Sequence, residues 1–213
     1  MRTLVTASVL GLVFCAGAAA QNPNTLTMEK ALPEGGTVAL TVNVGDVKVL
    51  PSQQQGEVRL EVTAGQHADH ATMASWVRQF NVAASRAAIE IHMPKDRKHC
   101  VDCYGNTSVV VYVPERSDLE VKLGVGELRI QGVRGNKELE NGVGDLRVGI
   151  ASPNEYGHIE THTRIGDIHD PFSPGGGAHG FLGKTEDFEL KGHYHLKATV
   201  GIGDIDLYEE GKR

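Results

Sequence analysis

One short string is written five times along this 213-residue chain. It reads "TVNVGDVKV" from Thr41, "LGVGELRI" from Leu123, "NGVGDLRV" from Asn141, "TRIGDIHD" from Thr163 and "TVGIGDIDL" from Thr199. A recurring aliphatic-Gly-acid-aliphatic unit restricts the fold more than any bulk property, because every copy must solve the same local problem.

Apolar residues alternate before each glycine. Val38, Leu40, Val42 and Val44 precede Gly45, and Leu119, Val121, Leu123 and Val125 precede Gly126. Leu196, Ala198, Val200 and Ile202 precede Gly203. Ile159 and Ile165 bracket Thr161 and Thr163 before Gly166, and Leu139 and Val143 bracket Asn141 before Gly144. A period of two means strands with one buried face. The phase then breaks, because Val143 and Leu146 are three apart. A corner at Gly144-Asp145 is expected to turn both toward the core: glycine accepts positive φ and aspartate accepts local backbone donors. The structural corners are therefore Gly45-Asp46, Gly126-Glu127, Gly144-Asp145, Gly166-Asp167 and Gly203-Asp204.

From Gly126 to Gly144 is 18 residues, to Gly166 another 22, and to Gly203 a further 37. A period near twenty with strand alternation predicts an all-β, β-solenoid or β-helix-like stack of short strands. An antiparallel sandwich is the rival. The long interval fits two coils, or one coil with a Gly-rich insertion over 171–184.

Ahead of the repeats, residues 1–20 read as a secretory signal with a basic start, a short apolar run and cleavage after Ala20. Phe14 stands where a lipidated Cys15 would need a small residue. No later stretch is apolar enough to span a membrane, so the mature chain is expected to be exported to a periplasm, a cell surface or the medium. A formal charge of −6 argues against a nucleic-acid partner. Residues 21–117 form an N-terminal β region and 118–208 the repeats, in one continuous domain. One short helix is expected at 69–80, near the N-terminal end. It starts at the N-cap Asp69 and puts Met73, Trp76, Val77 and Phe80 on one face. "FNVAA", "AAIEIHM" and "SVVVYV" are strand candidates after it.

The order of these parts is similar to that of the bacterial putative-adhesin family of unknown function. The resemblance rests on an exported chain opening with a Gly-Asp-Val strand, then "MASWVRQFNV", then "VVVYVPERSDLEVKLGVGELRIQGV" and tandem Val-Gly-Asp-Leu strands. It covers about residues 26–208 and implies a β-solenoid. It brings no catalytic residues and no cofactor.

Several residue groups suggest chemistry of their own. Cys100 and Cys103 in "HCVDCYG" are read as a disulfide, with zinc on His99, Cys100 and Cys103 as the alternative. His193 and His195, two apart on a strand face, are weak metal candidates. The corner acids, if stacked, form a carboxylate column that is either solvated or bridged by calcium. "AHGFLGKT" at 178–185 matches a relaxed phosphate loop, but its flanks read as loop and strand instead of strand and helix. In the Gly-rich insertion, Phe172 and Phe181 are candidate partner contacts. Together these readings predict a non-catalytic exported module binding an envelope or surface protein or glycan. A β-helix carbohydrate-active enzyme and a metal-binding envelope protein are the alternatives.

Overall fold

A computed structural model describes residues 24–64, 68–93, 107–173, 175–178, 180 and 182–211. The expected signal segment lies outside them. Four strands come first: β1 (Thr25–Ala31), β2 (Thr37–Val44), β3 (Asp46–Pro51) and β4 (Glu57–Thr63). The helix α1 (His70–Trp76) follows, then β5 (Val77–Ala83), β6 (Arg86–Ile91), β7 (Ser108–Val113), β8 (Asp118–Val125) and β9 (Leu128–Ile130). The chain continues through β10 (Lys137–Val143), β11 (Leu146–Ile150), β12 (Tyr156–Ile165) and β13 (Ile168–His169). It ends with β14 (Gly177–Ala178), β15 (Lys184–Glu189), β16 (Tyr194–Ile202) and β17 (Ile205–Glu209).

These strands form two mixed sheets. The nine-stranded sheet runs β1-β4-β7-β3-β9-β11-β17-β13-β14, and the eight-stranded sheet runs β15-β12-β16-β10-β8-β2-β6-β5. Inner neighbours are parallel in both. The outermost pairings are antiparallel. Each Gly-acid corner carries the chain from the eight-stranded sheet to the nine-stranded one.

The alternating rows meet between the sheets. Val38, Leu119, Leu196 and Ile159 stand in one cross-strand row, and Leu40, Val121, Leu139 and Ala198 in the next. Opposite them lie Val47, Leu128, Leu146, Ile205 and Ile168. All are buried. Each large aliphatic contributes about 1.5–3 kcal/mol by leaving water, so the repeated row is the main source of cohesion.

The five corner pairs are not stacked in chain order: read along both sheets, they run β2/β3, β8/β9, β10/β11, β16/β17, β12/β13, with β6 and β7 side by side before β2/β3. The last pair of the chain is thus wedged between two earlier ones. The 37-residue interval holds one unit plus an insertion, and residues before and after 118 share both sheets.

The helix is shorter than its apolar spacing predicts. Asp69 caps it, accepting from the Thr72 amide at 2.8 Å, and Met73 and Trp76 are buried. From Val77 the chain is extended and pairs with β6, setting Phe80 opposite Ile89. Val77, Phe80 and Val82 suit a pleated edge as well as a helix face, and β6 supplies ladder bonds that a lone helical turn could not match. The helix packs against β1 and β5, the edge strands at this end of the two sheets.

At the opposite end, β14 pairs with β13 and β15 pairs with β12. Two residues of the Gly-rich insertion (β14) and the strand that follows it (β15) therefore cover the edges of the two sheets at this end, which would otherwise offer unpaired backbone.

Candidate interaction surface

The corner geometry begins at the glycines. Gly144 has φ +123° and Gly126 φ +141°, a region that side chains rarely enter. Space forbids a side chain as well: a Cβ at Gly144 would strike the carbonyl oxygen of Gly126, one strand away. The corner thus needs glycine twice over, for its turn and for its contact with the unit beside it.

Of the five residues that precede a corner glycine, three are exposed, while Val44 and Ile165 are half-buried. Val125 is 46% exposed, Val143 42% and Ile202 48%. This corrects the expectation that Val143 and Leu146 both turn inward. Leu146 is buried, but at Val143 the chain is already leaving one sheet for the other, so no opposing strand covers it. The positions are in register, Val44 with Val125, Val125 with Val143, Val143 with Ile202, and Ile202 with Ile165. Five aliphatic residues thus form one ridge across five parallel strands. Neighbouring strands are about 4.8 Å apart, so the ridge is about 19 Å long.

Beside the ridge, on the outer face of the eight-stranded sheet, lies a second in-register row. Gly124, Gly142 and Gly201 fall one position before the ridge residues, with Asn43 at one end and the exposed Arg164 at the other. A Cβ at Gly142 would stand 2.5 Å from the Gly124 oxygen. Around Gly124 and Gly142 the row carries no side chain, and a shallow groove of ≈ 510 Å³ lies there across β2, β8 and β10. Thr41, Lys122 and Glu140 wall it on one side, Val44 and Val125 on the other. Asn43 closes its end, exchanging two 2.8 Å bonds with the Met93 backbone.

On the other flank stand the corner acids, and their carboxylates serve the neighbouring strand. Asp46 accepts the Glu127 amide at 3.1 Å, Asp145 the Asp204 amide at 3.1 Å, and Asp204 the Asp167 amide at 2.7 Å. Glu127, one methylene longer, instead holds Arg129 at 2.6 Å and Arg147 at 3.6 Å. Asp167 pairs with Lys184. The column is thus knit by backbone donors and cations of the chain itself. Among the described residues, no group of three or more His, Cys, Asp or Glu is placed to hold a metal ion.

The other sequence candidates fall as follows. His193 precedes β16, and its ring lies 3.9 Å from that of Tyr194. His195 is in β16 and exposed, in register with His158. His195 thus lies within the strand and His193 just before it. His158 instead contacts Asp187 at 2.6 Å, and that bond raises its pKa. Lys184 opens β15 and is buried, donating to Gly166 and Asp167; the lysine of the phosphate-loop match is thus engaged at the start of an edge strand. Phe172 packs half-buried against the core. Phe181, His99, Cys100 and Cys103 lie outside the described residues.

Sequence reasoning missed one interior site. Lys137 stands in register with Leu119 and Leu196, inside the apolar row, and is fully buried. It donates to the Tyr156 phenol and, at 3.3 Å, to the Gly135 carbonyl. Burial pushes its pKa down to about 8 against the pull of Glu210, Glu155 and Asp118; burial also raises that of Tyr156. A lysine where sibling repeats carry leucine was the available signal.

No family model matches the sequence, and no curated protein matches it. Among solved structures, a putative cell adhesion protein from Clostridium sporogenes superposes with a TM-score of 0.51 at 13% identity, over 87% of this chain and 100% of that one. The shared feature is the fold. A putative adhesin from Bacteroides fragilis aligns over 88% of this chain and 98% of its own, at 11% identity and a TM-score of 0.30. A putative lipid binding protein from Parabacteroides distasonis aligns over 88% and 98%, at 10% identity and a TM-score of 0.25. No helix among the described residues is long and apolar enough to cross a membrane.

Proposed function

We propose that this chain is a non-catalytic exported interaction module of the cell envelope or surface. Its stacked corner units are read as a flattened β-solenoid, and its recognition surface as the aliphatic ridge with its glycine groove. One observation carries this reading: Val125, Val143 and Ile202 are exposed and aligned in adjacent strands. Single exposed aliphatics are ordinary, but a contiguous row rimmed by polar side chains marks an interaction site. The adhesion-related description of the Clostridium sporogenes structure agrees with the reading at the level of fold.

The test uses immobilised mature chain, residues 21–213, and the envelope fraction of the source cells, with bound protein and glycan identified. Wild type and Leu182→Lys should retain the same bound species, and Val143→Lys should lose it. Retention by folded Val143→Lys would overturn the ridge as the contact. An absence of any bound species would overturn the module.

A further inference from the structure

We infer that the C-terminal pair β16/β17 is a wedge. The chain has a second, chain-ordered stack in which β12/β13 lies directly on β10/β11, and the wedge enters between them to give the native order.

Register makes the second stack possible. In the native order β16 pairs with β10 on one side and β12 on the other, and β17 likewise with β11 and β13. Leu139, Ala198 and Thr161 share one row, Asn141, Val200 and Thr163 the next, and Val143, Ile202 and Ile165 the third. Past the corner, Leu146, Ile205 and Ile168 share a row. With the wedge out, β12/β13 closes on β10/β11 and the same residues stay opposite one another.

The corners accept either neighbour. A Cβ at Gly203 would strike the Gly144 oxygen, and one at Gly166 the Gly203 oxygen. Asp145 accepts the Asp204 amide as Asp204 accepts that of Asp167. Each corner thus offers the next unit the same carbonyl and the same carboxylate, whichever unit arrives.

Chain length decides which stack forms first. Val143 and Ile165 are 22 residues apart, and Val143 and Ile202 are 59 apart. The shorter loop closes at lower entropy cost, and pairings distant in sequence form more slowly.

Interior chemistry decides which stack lasts. The wedge turns Leu196, Ala198, Val200, Ile205 and Leu207 inward, whereas β12/β13 and the residue after it bury Thr161, Thr163 and Asp170. An apolar unit gains most with apolar rows on both sides, and a polar one costs least at the end of the stack. Entry of the wedge makes that exchange. β14 and β15 stay on β13 and β12 in both stacks.

A glycine opens the route. The link from β15 to β16 passes the start of β12, with amide donations from Leu190 to Gly157 and Gly192 to Tyr156 at 2.8 Å each, and from His193 to Glu155 at 2.9 Å. A Cβ at Gly192 would overlap the Glu155 carbonyl. The native stack needs this crossing and the chain-ordered stack does not.

Cysteine trapping separates the two stacks. Glu138, Lys197 and Glu160 share one row on the outer face of the eight-stranded sheet. In the native order Glu138 and Glu160 are two strands apart, about 10 Å, beyond the reach of about 7 Å for a disulfide. In the chain-ordered stack they are neighbours at about 4.8 Å. Mature chain with Cys100→Ser and Cys103→Ser carries Glu138→Cys with either Glu160→Cys or Lys197→Cys. It is refolded from urea with oxidant, and cross-links are quantified by peptide mass. The 138–160 link should form early in refolding and not in folded protein. The 138–197 link should form late and in folded protein. Gly192→Ala should delay the 138–197 link at least about tenfold and leave the early 138–160 link in place. Without cysteines, pulsed hydrogen exchange during refolding of wild type should protect β10 and β12 before β16. A 138–160 link no more abundant during refolding than in folded protein would overturn the inference, as would protection of β16 together with or ahead of β12.

Discussion

Lys137 donates its buried ammonium to the phenol oxygen of Tyr156, between Leu119 and Leu196 in an otherwise apolar row. The pairing satisfies the polar atoms but leaves the charge short of water, which is why the lysine's pKa falls to about 8 from 10.5.

The sign of the pH effect follows. Between pH 8 and 10.5 the unfolded lysine holds its proton while the folded one releases it, so stability rises with pH over this window. Below pH 8 the penalty is constant, at about 3 kcal/mol at most. Lys137→Met should stabilise the fold near neutral pH by about 1–3 kcal/mol. It should also abolish the rise between pH 8 and 10. Urea unfolding of both proteins at several pH values checks this; a parallel pH profile in the variant would refute it.

Gly144→Ala should destabilise the fold by more than about 2 kcal/mol, since it meets both an unfavourable φ and the Gly126 oxygen. Gly35→Ala is the comparison. Gly35 has φ +74° with nothing within 4 Å of its Cβ, so that substitution should cost only about 1 kcal/mol. Equal losses in urea unfolding would remove the role of strand contact at the corner.

Asp145→Ala should cost about 1 kcal/mol by orphaning the Asp204 amide, and Asp145→Asn should cost less because its amide oxygen can accept the same bond. Calcium should leave the melting temperature of all three proteins unchanged. A calcium-dependent rise lost in Asp145→Ala would instead establish the corner column as a cation site.

Lys184→Ala should loosen the end cap without unfolding the stack, because Lys184 ties β15 to Gly166 and Asp167. Amide hydrogen exchange should quicken in β14, β15 and β13 and stay slow in β8 and β10. Uniform acceleration across both sheets would show that the cap and stack open together.

Much of the local structure was legible in the sequence. Alternation marked β2, β8 and β16 with their inward residues, and Asp69 marked the start of the helix. Local chemistry suffices there, since a side chain's direction along a strand and an N-cap's donors depend only on near neighbours. The end of the helix was not legible, because Val77 to Val82 satisfies both periodicities and the adjacency of β6 decided between them. The candidate surface was hidden for a related reason. Val143 has the sequence pattern of a core residue, and only the position of the opposite sheet leaves it uncovered.

The sequence by itself determined the unit: a strand, a glycine-acid corner and a second strand, with one aliphatic face throughout. It did so because steric limits at Gly144 and the two-residue period of Leu139 and Asn141 act within a single unit. Tertiary structure alone decided which unit lies beside which. Val125, Val143 and Ile202 are nearly equivalent as neighbours, so local energies do not rank the orders of stacking. The order that places β16/β17 between β10/β11 and β12/β13 is set by what the chain can reach and by how its edges are covered. The same long-range arrangement brings β14 and β15 over one end, and aligns separate corner residues into a continuous ridge.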